Sequence, residues 1–362
     1  MEIRKLTLDY FDRIEEIYAY AREFMRQTGN PNQWQDRFPT VEMTLRDIEN
    51  GDLYGLFEGD ELECVFAYIF GHDPTYDYIF DGQWLDEEPY GVVHRIASSF
   101  NSKGAGRKSI EWALRQCGNL RIDTHEDNKP MQGVLKKIGF EYCGKILTHD
   151  GTERVAFQKK MNYRQDLLEQ LREFRPYNEQ EENDRKTMIS LLENVSDIYE
   201  RTNDIAHMTA SAWIVNRQRN MILMAYHNIY DSFSWLGGHA DGDENLLGVA
   251  LREVREESGL KHVRELSDRI LSLEILTVDG HEKKGRYVSS HLHVNVTYLI
   301  EADSDEELTV KPDENKALRW FAIDEAIAAS NEKWFRERIY SKLNGRLYQY
   351  LREEQQIGRA HV

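Results

Sequence analysis

Three glutamates, Glu253, Glu256 and Glu257, stand at i, i+3 and i+4 in a stretch whose apolar residues Leu246, Leu247, Val249, Ala250 and Val254 recur at three- and four-residue steps. That periodicity predicts a helix with one face to bury. The carboxylates share the other face, where they repel one another unless a cation lies between them. A divalent ion is the natural answer, and hard carboxylate oxygens suit Mg2+ or Mn2+. A merely solvated acidic face would explain neither the Gly237-Gly238 pair upstream nor the spacing. A calcium loop fails because Leu246 stands where the loop needs glycine and Arg252 where it needs its last glutamate.

Gly238, Glu244, Arg252, Glu253, Val254, Glu256, Glu257, Gly259 and Leu260 fill the pattern G-x5-E-x7-R-E-U-x-E-E-x-G-U, with U aliphatic, without a departure. Chance would give such a match on the order of once in a billion start positions. The stretch resembles the Nudix hydrolase box. The resemblance implies metal-dependent splitting of a diphosphate linked to another group, with the ion lowering the pKa of a water that attacks phosphorus. It implies Glu253, Glu256 and Glu257 as ligands, with Gly238 beside them. Arg252 and Glu244 are expected to form a supporting ion pair, and Gly259 a left-handed cap. Glu314, in KPDENKALRW, stands where such enzymes place a further ligand or general base. His291 and His293 share one face of an expected strand, facing either substrate or solvent, and His227 and His239 are left without a role. The proline expected of ADP-ribose enzymes and the tyrosine expected of dinucleoside polyphosphate enzymes are absent, so the resemblance leaves the substrate open.

A second constellation lies upstream. Gly104 and Gly106 sit at the mouth of an expected helix, where backbone N–H groups converge on an anion. With HRIASSF before that loop and DTHEDNKPMQGVLKKIGF after it, the order of elements resembles the GNAT acetyltransferases over residues 1–162. The resemblance implies acetyl-CoA as cosubstrate and a small-molecule amine as acceptor. The CoA diphosphate would lie on Lys103, Gly104, Ala105, Gly106 and Arg107, its pantetheine arm along Ser98 to Phe100, with Asn128 helping to hold it. His94 is the candidate base, with His125 and Glu63 as other titratable groups near the expected cleft. Two departures stand out: Asn101 replaces the Gln or Arg that opens the family loop, and Leu135 replaces the tyrosine that protonates the departing thiolate. Trp34, Tyr76, Tyr78, Trp84 and Tyr90 form either an aromatic wall for the acceptor or simply core.

A chain of 362 residues exceeds what one core serves, which predicts two domains. A net charge of -18 disfavours nucleic acid and anionic membrane as partners. The longest apolar stretch, Val65 to Phe70, cannot span a bilayer, and MEIRKLTLDY lacks a signal peptide's apolar core, so the expected location is cytoplasmic. Cys64, Cys117 and Cys143 occur singly and indicate neither disulfide nor zinc. Nothing in the sequence sets the oligomeric state.

The fold class that results is α/β and α+β. A GNAT-like mixed sheet with flanking helices is expected over 1–162, then a linker of two helices broken at Pro176 over 163–204, packing on the second domain. That domain is expected as a Nudix α/β/α sandwich over 205–355. The final QIGRAHV, 356–362, has the character of an artefactual tail. The whole reads as a bifunctional enzyme, with a single hydrolase carrying a degenerate CoA-binding regulatory or interaction module as the alternative.

Overall fold

In the computed structural model, residues 2–100, 102–228, 231–283, 285–311 and 315–360 are described. Glu314 and Asn101 therefore lie outside the described residues, as do 361–362 of the expected tail. The chain divides into two compact units, Met1–Met161 and Asn162–Val362.

The first unit runs β1 (Glu2–Lys5), α1 (Phe11–Gln27), α2 (Val41–Asn50), β2 (Leu53–Glu58), β3 (Glu61–Phe70), β4 (Ile79–Phe80), β5 (Gly91–Ser98), α3 (Ala105–Cys117), β6 (Asn119–Thr124), α4 (Lys129–Ile138), β7 (Glu141–Leu147) and β8 (Glu153–Lys160). Its sheet has the order β1-β2-β3-β5-β6-β8-β7-β4. Alternation along β3 makes this a three-layer arrangement: Cys64 and Phe66 join the core under α3 and α4, while Val65 and Ala67 join the core under α1. In α1, Ile14, Ile17, Tyr18 and Ala21 are the buried stripe.

Two irregularities open this sheet. Between β3 and β5 the register shifts, with Val65 opposite Ala97 but Ala67 opposite His94, so β5 bulges at Arg95, which takes a φ of 49°. Beyond it, the parallel pairing of β5 with β6 is confined to Gly91 with Leu120 and Val92 with Arg121. The rest of the two strands is free to part.

The second unit opens with two helices, α5 (Tyr163–Glu173) and α6 (Glu179–Asn194). Asn178 caps α6 by accepting from Glu181 N–H at 2.9 Å, and Glu181 accepts in return from Tyr177 N–H at 2.5 Å. Both helices belong to the unit's main core through Leu167, Leu168, Leu171, Met188 and Leu192. The chain continues through β9 (Ala206–Asn216), β10 (Met221–His227), β11 (Ser232–Ser234), β12 (Leu236–His239), α7 (Leu246–Ser258), β13 (Val263–Glu265), β14 (Ser272–Val278), β15 (His281–Lys283), β16 (Arg286–Val288), β17 (His291–Ala302), β18 (Asn315–Ala322), α8 (Ile323–Ala329), α9 (Lys333–Phe335) and α10 (Ser341–Ala360). The short strands β11, β13, β15 and β16 carry too few residues to show a period in sequence.

β9 is buried at every position and pairs in parallel with β17. Its alternate residues Met208, Ala210, Ala212 and Ile214 face α5, α6 and α7, whereas Trp213 and Val215 face α8 and α10, where Trp213 stacks on Tyr340 at 5.5 Å. The sheet is thus sandwiched between helices. A buried ion network ties α6 to α10: Lys342 lies 3.2 Å from Glu181 and 2.8 Å from Glu274, and Arg346 reaches Glu181 at 2.5 Å. No helix among the described residues is long and apolar enough to cross a membrane.

Candidate functional site

In the second unit the local sequence explains the site. Asn245 caps α7 by accepting from Gly248 N–H at 3.0 Å, and Gly259 ends it with a φ of 73°, the left-handed cap its position called for. Between these caps the three glutamates take three different settings. Glu257 is buried: Gly237 N–H donates to its Oε1 at 3.0 Å and the Asn315 amide to its Oε2 at 2.7 Å. Glu253 lies against Gly238, where a Cβ would collide with its carboxylate, so the glycine makes room for the acid. Glu256 is half exposed, with Lys311 Nζ 4.0 Å from its Oε2.

These donors fit the implied ion. All are carboxylate oxygens, and because each such oxygen carries two lone pairs, one hydrogen bond to each oxygen of Glu257 does not exhaust it as a ligand. The expected Arg252 to Glu244 pair is not what forms. Arg252 donates to Asp243 at 3.1 Å, and Glu244 faces Arg164 of α5 at 3.4 Å. Both alternatives come from the loop before α7, which carries Asp243 to the exposed side of the helix and turns Glu244 toward the preceding helices. Sequence reasoning missed Asn315, which is remote from the box, and no spacing signal points to it.

His207, His239, His291 and His293 come together on the same unit's sheet, with ring centroids 4.8 to 5.1 Å apart between neighbours. Burial pushes the His293 imidazolium down to about 2, and the other three rings add to that; burial also lowers His207. Only the two-residue spacing of His291 and His293 hinted at this cluster.

In the first unit, β5 and β6 diverge around a cavity of about 1220 Å³ whose lining includes Asp73, His94, Ser98, Gly106, Asp123 and Asn128. His94 Nε2–H donates to Asp73 Oδ2 at 2.7 Å, and Thr75 donates to Asp73 Oδ1 through N–H at 2.9 Å and hydroxyl at 2.6 Å. Burial opposes the Asp73 charge, but these bonds outweigh it and hold the carboxyl well below the usual range. The other imidazole nitrogen, Nδ1, stands 3.9 Å from Asp123, which accepts from Tyr76 at 2.8 Å. Sequence reasoning found His94 but not Asp73 or Asp123, which arrive from separate segments. His125 and Glu63 are not among the lining residues; Glu63 instead accepts from Ser99 Oγ at 2.5 Å.

At the mouth of α3, Gly104 has a φ of 83° and no side-chain cap is found among the described residues, which leaves the helix's first N–H groups to face an anion. Gly106 has an ordinary backbone, and a Cβ there would meet only Ser98 Oγ at 3.3 Å and Ile96 at 3.9 Å. Ala105 is buried, Lys103 exposed, and Arg107 pairs with Glu111 at 2.7 Å. Phe100 is exposed. Asn128 caps α4 and donates to Gln33 at 2.9 Å, so its amide already has protein partners. Of the aromatics, Tyr76, Trp84 and Tyr90 are core, Tyr78 is exposed, and Trp34 alone lines the cavity. Leu135 is fully buried and offers no acid.

Residues 206–343 match the family model of the NUDIX domain. Over 90 residues the chain is 29% identical to the bis(5'-nucleosyl)-tetraphosphatase [asymmetrical] of Rattus norvegicus, covering 25% of this chain and 54% of that protein. It thus spans about half the length of the curated relatives it matches. A GNAT-family acetyltransferase from Streptococcus agalactiae is similar over 44% of this chain and 95% of its own, with 34% identity and a TM-score of 0.42. An Ap4A hydrolase from C. elegans is similar over 40% of this chain and 98% of its own, with 17% identity and a TM-score of 0.29.

Proposed function

We propose that the protein is a bifunctional enzyme, hydrolysing a nucleoside diphosphate linked to another group in its second unit and transferring an acyl group from acetyl-CoA to an amine in its first. The observation that carries the hydrolase reading is the α7 face, where Glu257 is fixed by Gly237 and Asn315, and Gly238 leaves room for the Glu253 carboxylate. Mg2+ or Mn2+ held by Glu253, Glu256 and Glu257 would neutralise phosphoryl charge and activate a water. The protein's own part is to hold these oxygens at fixed positions so that no rearrangement is needed during reaction. The name of the rat relative supports a dinucleoside tetraphosphate as the first substrate to test. Release of nucleotide from it in the presence of Mg2+ tests the reading.

For the first unit the support is the His94–Asp73 pair facing a large cavity beside the open end of α3. Asp73 holds the Nε2–H, which leaves Nδ1 to take a proton from the attacking amine. The amine nitrogen bonds to the thioester carbonyl carbon, the C–S bond breaks, and CoA leaves as thiolate to be protonated by solvent, since Leu135 supplies no acid. That buried Leu135 is also the observation favouring a CoA-binding module without transferase activity. Incubating the full chain with acetyl-CoA and a panel of amines, and following free thiol, separates the two.

A further inference from the structure

The four imidazoles of the second unit are brought together by strand register. β9 and β17 run parallel with His207 opposite His293, and β12 lies antiparallel to β9 with His239 opposite Thr209. Side chains alternate along strands, so these rings and that of His291 share one sheet face. Gly238, one residue away, turns its Cα to the other face, where Glu253 lies. The histidine face is thus separate from the carboxylate face. Next along it the polar groups are mutually satisfied: Thr209 and Ser211 donate to Asn295 at 3.0 and 2.9 Å, and Asn295 donates to Glu274 at 3.1 Å.

The imidazoles are set differently. His207 donates from Nδ1 to the carbonyl of Asn203 at 3.0 Å, which leaves a lone pair on Nε2. That residue is only 3% exposed, and its Nε2 has no hydrogen-bond partner among the described residues. An acceptor buried without a donor is costly. His291 is fixed in the same tautomer by the carbonyl of Ser289 at 2.8 Å, and its Nε2 lies 3.3 Å from Nε2 of His293. Ligand nitrogens of His207, His291 and His293 all fall within 4.8 Å of one another. Two nitrogens bound to one tetrahedral ion at about 2.0–2.1 Å would stand about 3.3–3.4 Å apart. An Nδ1–H held by a backbone carbonyl is the outer partner that ligating histidines use.

We infer that His207, His291 and His293 bind a divalent d-block cation of the Zn2+ class, at a site on the opposite face of the sheet from the carboxylates. Three imidazole nitrogens without a carboxylate select such an ion over Mg2+. His239 packs beside them, its ring centroid 4.8 Å from that of His293.

The test uses the full chain without an added histidine tag, stripped with chelator and titrated with Co2+ in excess Mg2+, which competes for carboxylate oxygens. One equivalent of Co2+ should give the visible absorption of a tetrahedral nitrogen site. His291→Ala should lose that absorption, and Glu256→Gln should keep it. Absence of the bands in the parent chain, their persistence in His291→Ala, or their loss in Glu256→Gln would each overturn the assignment. Should His291→Ala fail to fold, X-ray absorption of Zn2+ bound to the parent chain decides alone. Three or four imidazole nitrogens at about 2.0–2.1 Å support the site, and a shell made mainly of oxygens contradicts it.

Discussion

Asp73 and Glu257 are both carboxylates drawn largely out of water, each with both oxygens engaged, yet their partners put them to different uses. Asp73 accepts from a side chain that can itself carry a proton, so its charge serves to orient His94. Glu257 accepts from two amides, Gly237 N–H and the Asn315 side chain, which fix the carboxylate without consuming its charge. In the proposed function, one acid would be an accessory to a base, and the other would itself be a working group, beside Glu253 and Glu256. On that proposal the identity of the hydrogen-bond donor, rather than burial, separates a positioning carboxylate from a ligating one.

The largest effect that would break this contrast concerns the base. His94→Gln should lower acyl transfer by about 10²–10⁴-fold in kcat while CoA affinity, read by calorimetry, stays near that of the parent. Loss of binding with unchanged kcat would make His94 a lining residue only. On the other side, Asn315→Ala releases one oxygen of Glu257 and should cost about 10–100-fold in hydrolysis or metal affinity. An unchanged Mg2+ dependence would mean that Gly237 alone suffices.

A smaller effect distinguishes the two loop glycines. Gly104→Val must adopt a left-handed backbone at a cost of about 1–3 kcal/mol, whereas Gly106→Ala does not, so CoA affinity should fall in the first and hold in the second. Equal affinity in both variants would reduce the loop to a turn. The smallest effect is on stability. The folded pKa of Asp73 is depressed, so its contribution is fully present above the unfolded value of about 3.9 and fades as pH falls below it. The melting-temperature gap between parent and Asp73→Asn should therefore hold steady above about pH 5 and narrow progressively as pH falls below about 3.9. A gap that widens on acidification would mean that Asp73 is not held ionised.

The same contrast explains what was legible in the sequence. The α7 face is local: its glutamates lie within one turn and a half, so helical spacing alone places Glu253, Glu256 and Glu257 together, and Gly259 announces the end. Its supports are not local. Asn315 comes from β18, and Arg252 takes a different partner because loop geometry between β12 and α7 is not encoded by spacing. In the first unit the base could be named but not its setting, because Asp73, His94 and Asp123 converge from a loop and two strands that pair over only two residues. The bulge at Arg95, which helps open that cleft, depends on a one-residue mismatch with β3. The histidine cluster was hidden for the same reason: register between β9 and β17, some 86 residues apart at His207 and His293, is invisible to a local pattern.

The most direct test of the central claim is hydrolysis of a dinucleoside tetraphosphate by the full chain against Mg2+ concentration, in the parent and in Glu256→Gln. Mg2+-dependent release of nucleotide is expected from the parent, with a loss on the order of 10²–10³-fold in the variant. The variant's melting temperature in metal-free buffer should be unchanged or slightly higher, because one of three repelling charges is gone. A folded Glu256→Gln protein that keeps most of its Mg2+-dependent activity would contradict the assignment of the α7 face as the catalytic metal centre.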